Sequence, residues 1–380
     1  MRRVIYILLS LIPILSSCDK IGKDGIDDRS HIYLSASVED VDKTKAPYLE
    51  PSGHPTRTSP LDVEVWASTT SGVYKNEGKT GIKKGQSGTS EVAIHTTAHF
   101  ESGQAQLLSA AIYPPPDDTE QNPMPVYFVS MYPKEGWSLV DETQANCAQY
   151  TFNGSQDLMF AGPVSGTYRM VKEDRNYPTL TYNHLLTLFN IKIGMDPQEI
   201  ADGITKENIS EAWGKVTDIY IMRVDQSTEN FYPEGVDRVE VSLSEPVSAT
   251  FAANSNEGTK FYNINTDEVF PGAEGYTVTE TLTHLAYTMY APTTATAKFG
   301  DTSTLTPEYE LTVVTQKRGE VVVKLDLMHK DNGQDAYYTG STAGKQFDVS
   351  LYVKKGKIIR HKVEVTSWDT GGYGSGNLFD

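Results

Sequence analysis

Cys18 is the one residue whose place in the chain by itself implies covalent chemistry. It follows Leu15-Ser16-Ser17 at the end of the apolar run Val4 to Leu15, behind Arg2 and Arg3. A positive start, a short apolar stretch and small residues before a cysteine make a secretory signal. In such a signal the thiol is acylated and becomes the new N-terminus. The run is too short to remain as a membrane-crossing helix, which takes about 20 residues. Acyl chains such as palmitate hold by burial, at roughly 0.8 kcal/mol per methylene, so two or more of them anchor stably. Residues 1–17 are therefore read as a removed lipoprotein signal peptide, and the anchor predicts an outer-membrane, cell-surface location.

The remaining chemistry-bearing residues do not assemble into a reaction centre. Cys147 has no Cys-His neighbourhood and reads as a small apolar filler. His95 and His99 are four apart in strand-like sequence, where that spacing gives no zinc face without further ligands. His184 lies among apolar residues and reads as a hydrogen-bonded structural histidine. Asp331-Asn332-Gly333-Gln334-Asp335 has oxygen donors at calcium-loop spacing but lacks the downstream bidentate acid, so it reads as a turn. Asp117, Asp118 and Glu120 sit in a proline-rich stretch as solvated charges. Gly371 to Gly376 is glycine-rich, yet no helix follows to receive a phosphate. No Gly-x-Ser-x-Gly elbow, Walker loop or dinucleotide fingerprint occurs. The expectation is a non-enzyme, with no catalytic residue, no metal and no cofactor.

Composition narrows the class further. The chain has 380 residues and a formal charge of −17. Loss of residues 1–17 removes only Arg2 and Arg3, leaving 33 − 2 = 31 basic against 50 acidic residues, a formal −19. So acidic a body excludes a nucleic-acid partner. With Cys18 committed to the anchor and Cys147 alone, core burial rather than disulfides must hold the fold. The 22 tyrosines, with many threonines and little helical periodicity, suit pleated, half-buried surfaces.

The elements that must carry these residues are short strands. Residues 18–30 read as a tether. His31 to Val38 alternates, with Ile32, Leu34, Ala36 and Val38 on one face and Tyr33, Ser35 and Ser37 on the other. Residues 39–60 follow with Lys43, Lys45, Arg57 and four prolines, an exposed loop open to proteases. Further strands are expected at Leu61–Val65, Glu91–His95, Ala105–Ile112, Val126–Tyr132 (ended by Pro133) and Asp157–Ala161. Residues 163–178 read as a linker. Later strands are expected from Leu180 to Ile193 and at Val216–Val224, Arg238–Leu243, Tyr276–Leu282, His284–Tyr290, Tyr309–Thr315, Glu320–Leu327, Phe347–Val353 and Lys357–Thr366. Thr205 to Trp213 is the one good helix. The pattern predicts an all-β chain of two β-sandwich domains, 31–175 and 176–380, the second with a glycine-rich tail.

The order of several local patterns resembles the fimbrillin family, the subunits and accessory proteins of the lipoprotein-derived type V pili of Gram-negative anaerobes. Leu15-Ser16-Ser17-Cys18 looks like a lipobox. Thr44-Lys45-Ala46 follows the first strand. Tyr127-Phe128-Val129-Ser130-Met131-Tyr132-Pro133 is similar to the family's aromatic strand ending in Tyr-Pro. Asp157-Leu158-Met159-Phe160-Ala161 resembles its short Asp-Leu strand, and Tyr182-Asn183-His184-Leu185-Leu186-Thr187-Leu188 its aromatic-x-His-Leu segment. Ala343-Gly344-Lys345-Gln346-Phe347 and Ser367-Trp368-Asp369 match its closing strands and terminal tryptophan. The resemblance implies two tandem transthyretin-like sandwiches. It implies that a trypsin-like protease cuts after the first strand, at Lys45, Arg57 or Lys43. The strand Ile32, Leu34, Ala36, Val38 would then leave, and a segment of another fimbrial subunit would fill the groove by β-strand addition. The tail departs from the family pattern. After Trp368, only Tyr373, Leu378 and Phe379 are large and apolar among many glycines, unlike the long alternating donor of a stalk subunit. The expectation is thus a pilin or a tip or accessory subunit that mediates adhesion. The alternative is a lipid-anchored carbohydrate-binding protein, with tyrosines and four tryptophans as stacking platforms.

Overall fold

A computed structural model describes residues 31–38, 61–74, 93–100, 106–112, 125–140, 146–167, 169–170, 176–225, 232–244, 247–255, 258–266, 268–292, 308–325, 327–331, 334–337, 341–356 and 359–367. The strands are β1 (His31–Val38), β2 (Leu61–Ser68), β3 (Ala93–Phe100), β4 (Gln106–Ile112), β5 (Val126–Tyr132), β6 (Ser138–Leu139), β7 (Cys147–Thr151), β8 (Met159–Gly166), β9 (Thr179–His184), β10 (Thr187–Met195) and β11 (Val216–Asp225). They continue with β12 (Tyr232–Ser242), β13 (Ala249–Ser255), β14 (Thr259–Lys260), β15 (Tyr262–Asn263), β16 (Thr283–Tyr290), β17 (Glu308–Thr315), β18 (Gly319–Leu325), β19 (Met328–Asp331), β20 (Gln334–Tyr337), β21 (Lys345–Val353) and β22 (Ile359–Ser367). Short helices cover Pro197–Ala201 and Lys206–Trp213. The all-β expectation holds. None of the described helices is long and apolar enough to cross a membrane.

The first sheet has seven strands in the order β3-β2-β5-β8-β9-β1-β4. Its two end strands, β3 and β4, lie against each other, so the sheet rolls over an inner core. That core holds Leu61, Val63, Val65, Phe100, Phe128 and Leu180. The opposite face of the same sheet carries Trp66, Val129, Met131 and Phe160 into a second, larger core. A strand covered on both faces has no polar side to show, which is why β5 reads as a nearly unbroken apolar run.

The larger core lies between a five-stranded sheet, β15-β16-β10-β21-β22, and an eight-stranded one built on β18-β17-β11-β12-β7-β6. Phe189 packs edge-on to Tyr309 at 4.7 Å between centroids and stacks on Phe347 at 5.3 Å. The helix Lys206–Trp213 closes one end. The backbone N–H of Thr205 donates to Asn208 Oδ1 at 3.1 Å, satisfying an otherwise orphaned group of the first turn. Ile209 and Trp213 are buried, Arg318 stacks on the Trp213 ring at 4.3 Å, and Trp213 Nε1 donates to the Lys354 carbonyl. Gly214 then ends the helix at φ 70°, a conformation that favours glycine.

Two sequence expectations are corrected. Residues 163–166 are not linker: they continue β8, with Phe128 opposite Val164 and Val126 opposite Gly166. Thr179–His184 pairs with β8 and β1, so the chain changes sheet after His184. In the other direction, β6 and β7 leave the first sheet and pair onto β12, Val239 opposite Tyr150. The strand expected at Tyr276–Leu282 is absent apart from a single bridge of Tyr276 to Val216. There Thr279 and Thr283 hydroxyls both donate to the Thr281 carbonyl, a local bond that competes with a ladder, and Val278 alone fills the core.

Candidate strand-exchange groove

β1 is held on both edges, each along half its length. Its C-terminal half runs parallel to β9, with Ser35 to Val38 opposite Thr179 to Tyr182. Its N-terminal half runs antiparallel to β4, with Tyr33 opposite Leu107 and Leu34 opposite Gln106. Parallel pairing is slightly the weaker per residue. Small hydroxyl side chains reinforce it: Ser35 Oγ lies 2.6 Å from Thr179 Oγ1, and Ser37 Oγ 3.3 Å from Thr181 Oγ1. The Ser35 N–H donates to the Pro178 carbonyl at 3.1 Å.

Leu34 and Ala36 are wholly buried in the smaller core, while Ser35 and Ser37 stay half-buried. This alternation is the one read from the sequence. Among the described residues, every other buried member of that core comes from residue 61 or later. A break anywhere between residues 39 and 60 therefore separates β1 covalently from all the surfaces it packs on. What then holds it is burial, worth about 1.5–3 kcal/mol for a leucine, and the ladder bonds, about 0.5–1.5 kcal/mol each.

The floor of the groove is polar but satisfied. Ser130 donates to the Glu64 carbonyl at 2.6 Å, so its single proton is committed. The Tyr182 hydroxyl, 2.6 Å from Ser130 Oγ, must then be the donor to it. Burial pushes the Tyr182 phenol far above its ordinary range, against a smaller opposing pull from Ser130, so it stays a neutral donor.

Leu34 and Ala36 stand where the sequence reading puts them. Ile32 and Val38 lie on β1, Val38 opposite Tyr182, and their side chains lie outside the described residues, as do Cys18, Lys43, Lys45 and Arg57. His184 is nearly buried and hydrogen-bonds Asp157 at 2.8 Å, the structural role expected of it. His95 pairs with Glu64 at 3.0 Å and stacks on Trp66, while His99 pairs with Asp62 at 2.7 Å. Among the described residues no three His, Cys, Asp or Glu side chains converge as a metal site. Burial, with a smaller contribution from Glu240, raises the Cys147 thiol pKa, which disfavours the thiolate form. Asp331 faces Gln334 across the β19–β20 hairpin, as a turn requires. The sequence reading missed the two walls of the groove. One signal was available: Thr179-Leu180-Thr181-Tyr182 repeats the hydroxyl-apolar alternation of Ser35-Ala36-Ser37-Val38.

No protein-family model matches this chain, and none of the curated proteins matches it. Among solved structures it is similar to a candidate cell adhesion protein from Bacteroides uniformis, at 14% identity and TM-score 0.43, over 89% of this chain and 99% of that one. It is also similar to the tip fimbrial protein Mfa3 of Porphyromonas gingivalis, at 8% identity and TM-score 0.34, over 89% and 99% of the two chains. A third is the fimbrial anchor protein Mfa2 of the same organism, at 9% identity and TM-score 0.35, over 89% and 97%.

Proposed function

We propose that this chain is a lipid-anchored fimbrial protein of the outer-membrane surface, a pilin or a tip or accessory subunit, that assembles by protease-triggered strand exchange and mediates adhesion. In this reading it is not an enzyme and uses no cofactor. Cys18 carries the lipid. A protease cuts at Lys45, Arg57 or Lys43, β1 leaves, and an extended segment of another fimbrial subunit takes its place between β9 and β4. The two halves of the chain are, in this proposal, tandem transthyretin-like sandwiches.

The observation that carries the reading is the membership of the smaller core. Among the described residues, Leu34 and Ala36 are its only buried members that precede residue 61, and both sit on a strand shared between two neighbours. Such a strand is removable in one cut and leaves two unpaired edges that accept a replacement by backbone hydrogen bonds.

Limited trypsin treatment of the non-acylated mature chain tests this, followed by N-terminal sequencing, an unboiled gel, and titration with a labelled peptide of sequence His31–Val38. The expected result is one cut between Lys43 and Arg57, release of β1, and saturable peptide binding by the cut chain only. A ladder of detergent-resistant oligomers identifies a polymerising pilin; peptide binding without a ladder identifies a tip or accessory subunit. A chain that resists cutting there, or that is cut and binds no peptide, overturns the proposal.

A further inference from the structure

A second feature lies away from the β1 groove, on the open face of β6, β7 and β12. A cavity of about 280 Å³ is lined there by Gly136, Ser138, Gln149, Tyr150, Thr151 and Arg238. The registers explain how the side chains meet. Ser138 is opposite Gln149, Thr151 is opposite Arg238, and Glu240 is opposite Gln149 on the other side. Residues directly opposite, and residues two apart on one strand, share a sheet face. Five polar side chains therefore stand on one face in two adjacent rows: Ser138, Gln149, Thr151 and Arg238 line the cavity, and Glu240 stands beside Arg238 without lining it. Strands are about 4.8 Å apart and alternate residues about 6.6 Å apart, so the grid has roughly the footprint of one sugar ring.

The chemistry of the grid is balanced and unsaturated. Arg238 Nη2 lies 3.6 Å from Glu240 Oε1, an ion pair too long for a hydrogen bond. Arg238 Nε is buried with no acceptor among the described residues. The guanidinium thus has donors to spare beside a carboxylate that accepts, and Gln149 adds an amide able to do both. The Tyr150 hydroxyl is already committed, donating to Gln156 Oε1 at 2.8 Å, and its ring packs on Trp137. Gly136, at φ 101°, lies flat on that ring: a Cβ there would meet Tyr150 Cε2 at 2.6 Å. This backbone forms one rim of the cavity, at a position where a side chain does not fit.

We propose that this cavity is a binding site for a neutral sugar, in which Arg238 donates to one ring hydroxyl, Glu240 accepts from its neighbour, and Gln149, Ser138 and Thr151 bond the rest. Neighbouring hydroxyls on a pyranose ring present a donor and an acceptor side by side, which the Arg238–Glu240 pair matches. An acidic sugar fits less well, since its carboxylate would meet Glu240 within a strongly acidic body. The site shares no residue with the β1 groove, so its failure leaves the strand-exchange reading untouched.

The test is saturation-transfer NMR on the non-acylated mature chain. The probes are methyl glycosides of glucose, galactose, mannose and N-acetylglucosamine, with glucuronate and N-acetylneuraminate as acidic probes. Saturable transfer to at least one neutral glycoside is expected. Arg238→Met and Gln149→Ala should each weaken it about tenfold or more, a loss of about 1.4 kcal/mol, without lowering the melting temperature. Gln149→Ala is the cleaner variant, because it removes no ion pair. The proposal is overturned by transfer to no neutral glycoside, by transfer to acidic sugars only, or by undiminished transfer in both variants.

Discussion

Among the described residues two strand pairs run parallel, and they are built from opposite materials. β10 and β21 run parallel over eight consecutive positions, from Leu188 opposite Gln346 to Met195 opposite Val353. They lie at the centre of their sheet, and Phe189, Ile191, Ile193, Phe347, Val349 and Leu351 are buried between them and the facing sheet. β1 and β9 run parallel over four positions, and among the described side chains of β1 Leu34 and Ala36 enter the smaller core. Between the strands stand serines and threonines rather than large side chains. Both pairs join distant parts of the chain. The first is a lock, since no single element can leave without opening aromatic packing. The second is a seat: enough burial and bonding to fix a strand in one register, with no aromatic side chain on the β1 side of its ladder.

The lock is broken most directly at Phe347, which is fully buried and stacked on Phe189. Phe347→Ala should cost about 3–5 kcal/mol, through lost burial and the cavity left behind. Denaturant unfolding should show it as a lowered midpoint, and hydrogen exchange should rise throughout β10, β21 and β11. Leu34→Ala removes a buried side chain of the seat at a cost of about 2–5 kcal/mol by the same mechanism. Its exchange signature should differ: faster exchange in β1, β4 and β9, with β10 and β21 still protected. If Leu34→Ala loosens both regions equally, the two cores are one cooperative unit and the contrast fails.

What was legible in the sequence follows the same division between face and partner. Val126–Tyr132 was readable to the residue, because a mostly β-branched and aromatic run, broken only by Ser130 and Met131, ends at Pro133. The alternation of His31–Val38 gave the buried face of β1, and the Thr205–Trp213 pattern gave the helix. Partners were not readable. Period-two alternation says which side chains point inward, and nothing about which distant strand lies alongside. Thus the Thr-x-Thr wall of β9 went unnoticed, and Cys147–Thr151 was not assigned to the far sheet. The polar cavity was equally hidden, since Ser138, Gln149 and Arg238 are unremarkable alone and meet only through registers. Ala249–Ser255, a pairing strand made mostly of small residues, gave no periodic signal at all.

Acid should separate the two regions again. His284, on β16 of the five-stranded sheet, has its pKa lowered from the ordinary 6.5 to about 4, mainly by burial; Asp348 pulls it up and Lys192 pushes it down. Between those two values the unfolded chain takes up a proton that the folded chain refuses. Unfolding is then proton-coupled, and stability falls as pH drops from about 6.5 towards about 4. A shift of that size is worth up to about 3 kcal/mol at the acid end. Melts of the native chain and of His284→Gln from pH 8 to pH 4 should converge in slope above pH 6.5 and diverge below it, the variant losing less. The loss belongs to the lock, so exchange in β1 and β9 should not follow it.

The smallest effect is the sharpest probe of the seat. Thr179→Val keeps the shape and β-propensity of the β9 wall but removes the hydroxyl that lies 2.6 Å from Ser35 Oγ. The pair is exposed, so water can satisfy what is left, and the expected cost to the intact chain is only about 0.5–1 kcal/mol. In the proposed cut state the same bond would act between separate molecules and contribute to the release rate of the strand in the groove. The cut Thr179→Val chain should therefore release the His31–Val38 peptide several-fold faster than the cut native chain, with an unchanged association rate. A peptide carrying Ser35→Ala should show the same faster release from the native groove and no further loss on the variant. That non-additivity is the signature of a direct contact. Additive losses would mean that Ser35 and Thr179 act separately, and that register in the groove is set by Leu34 and Ala36 alone.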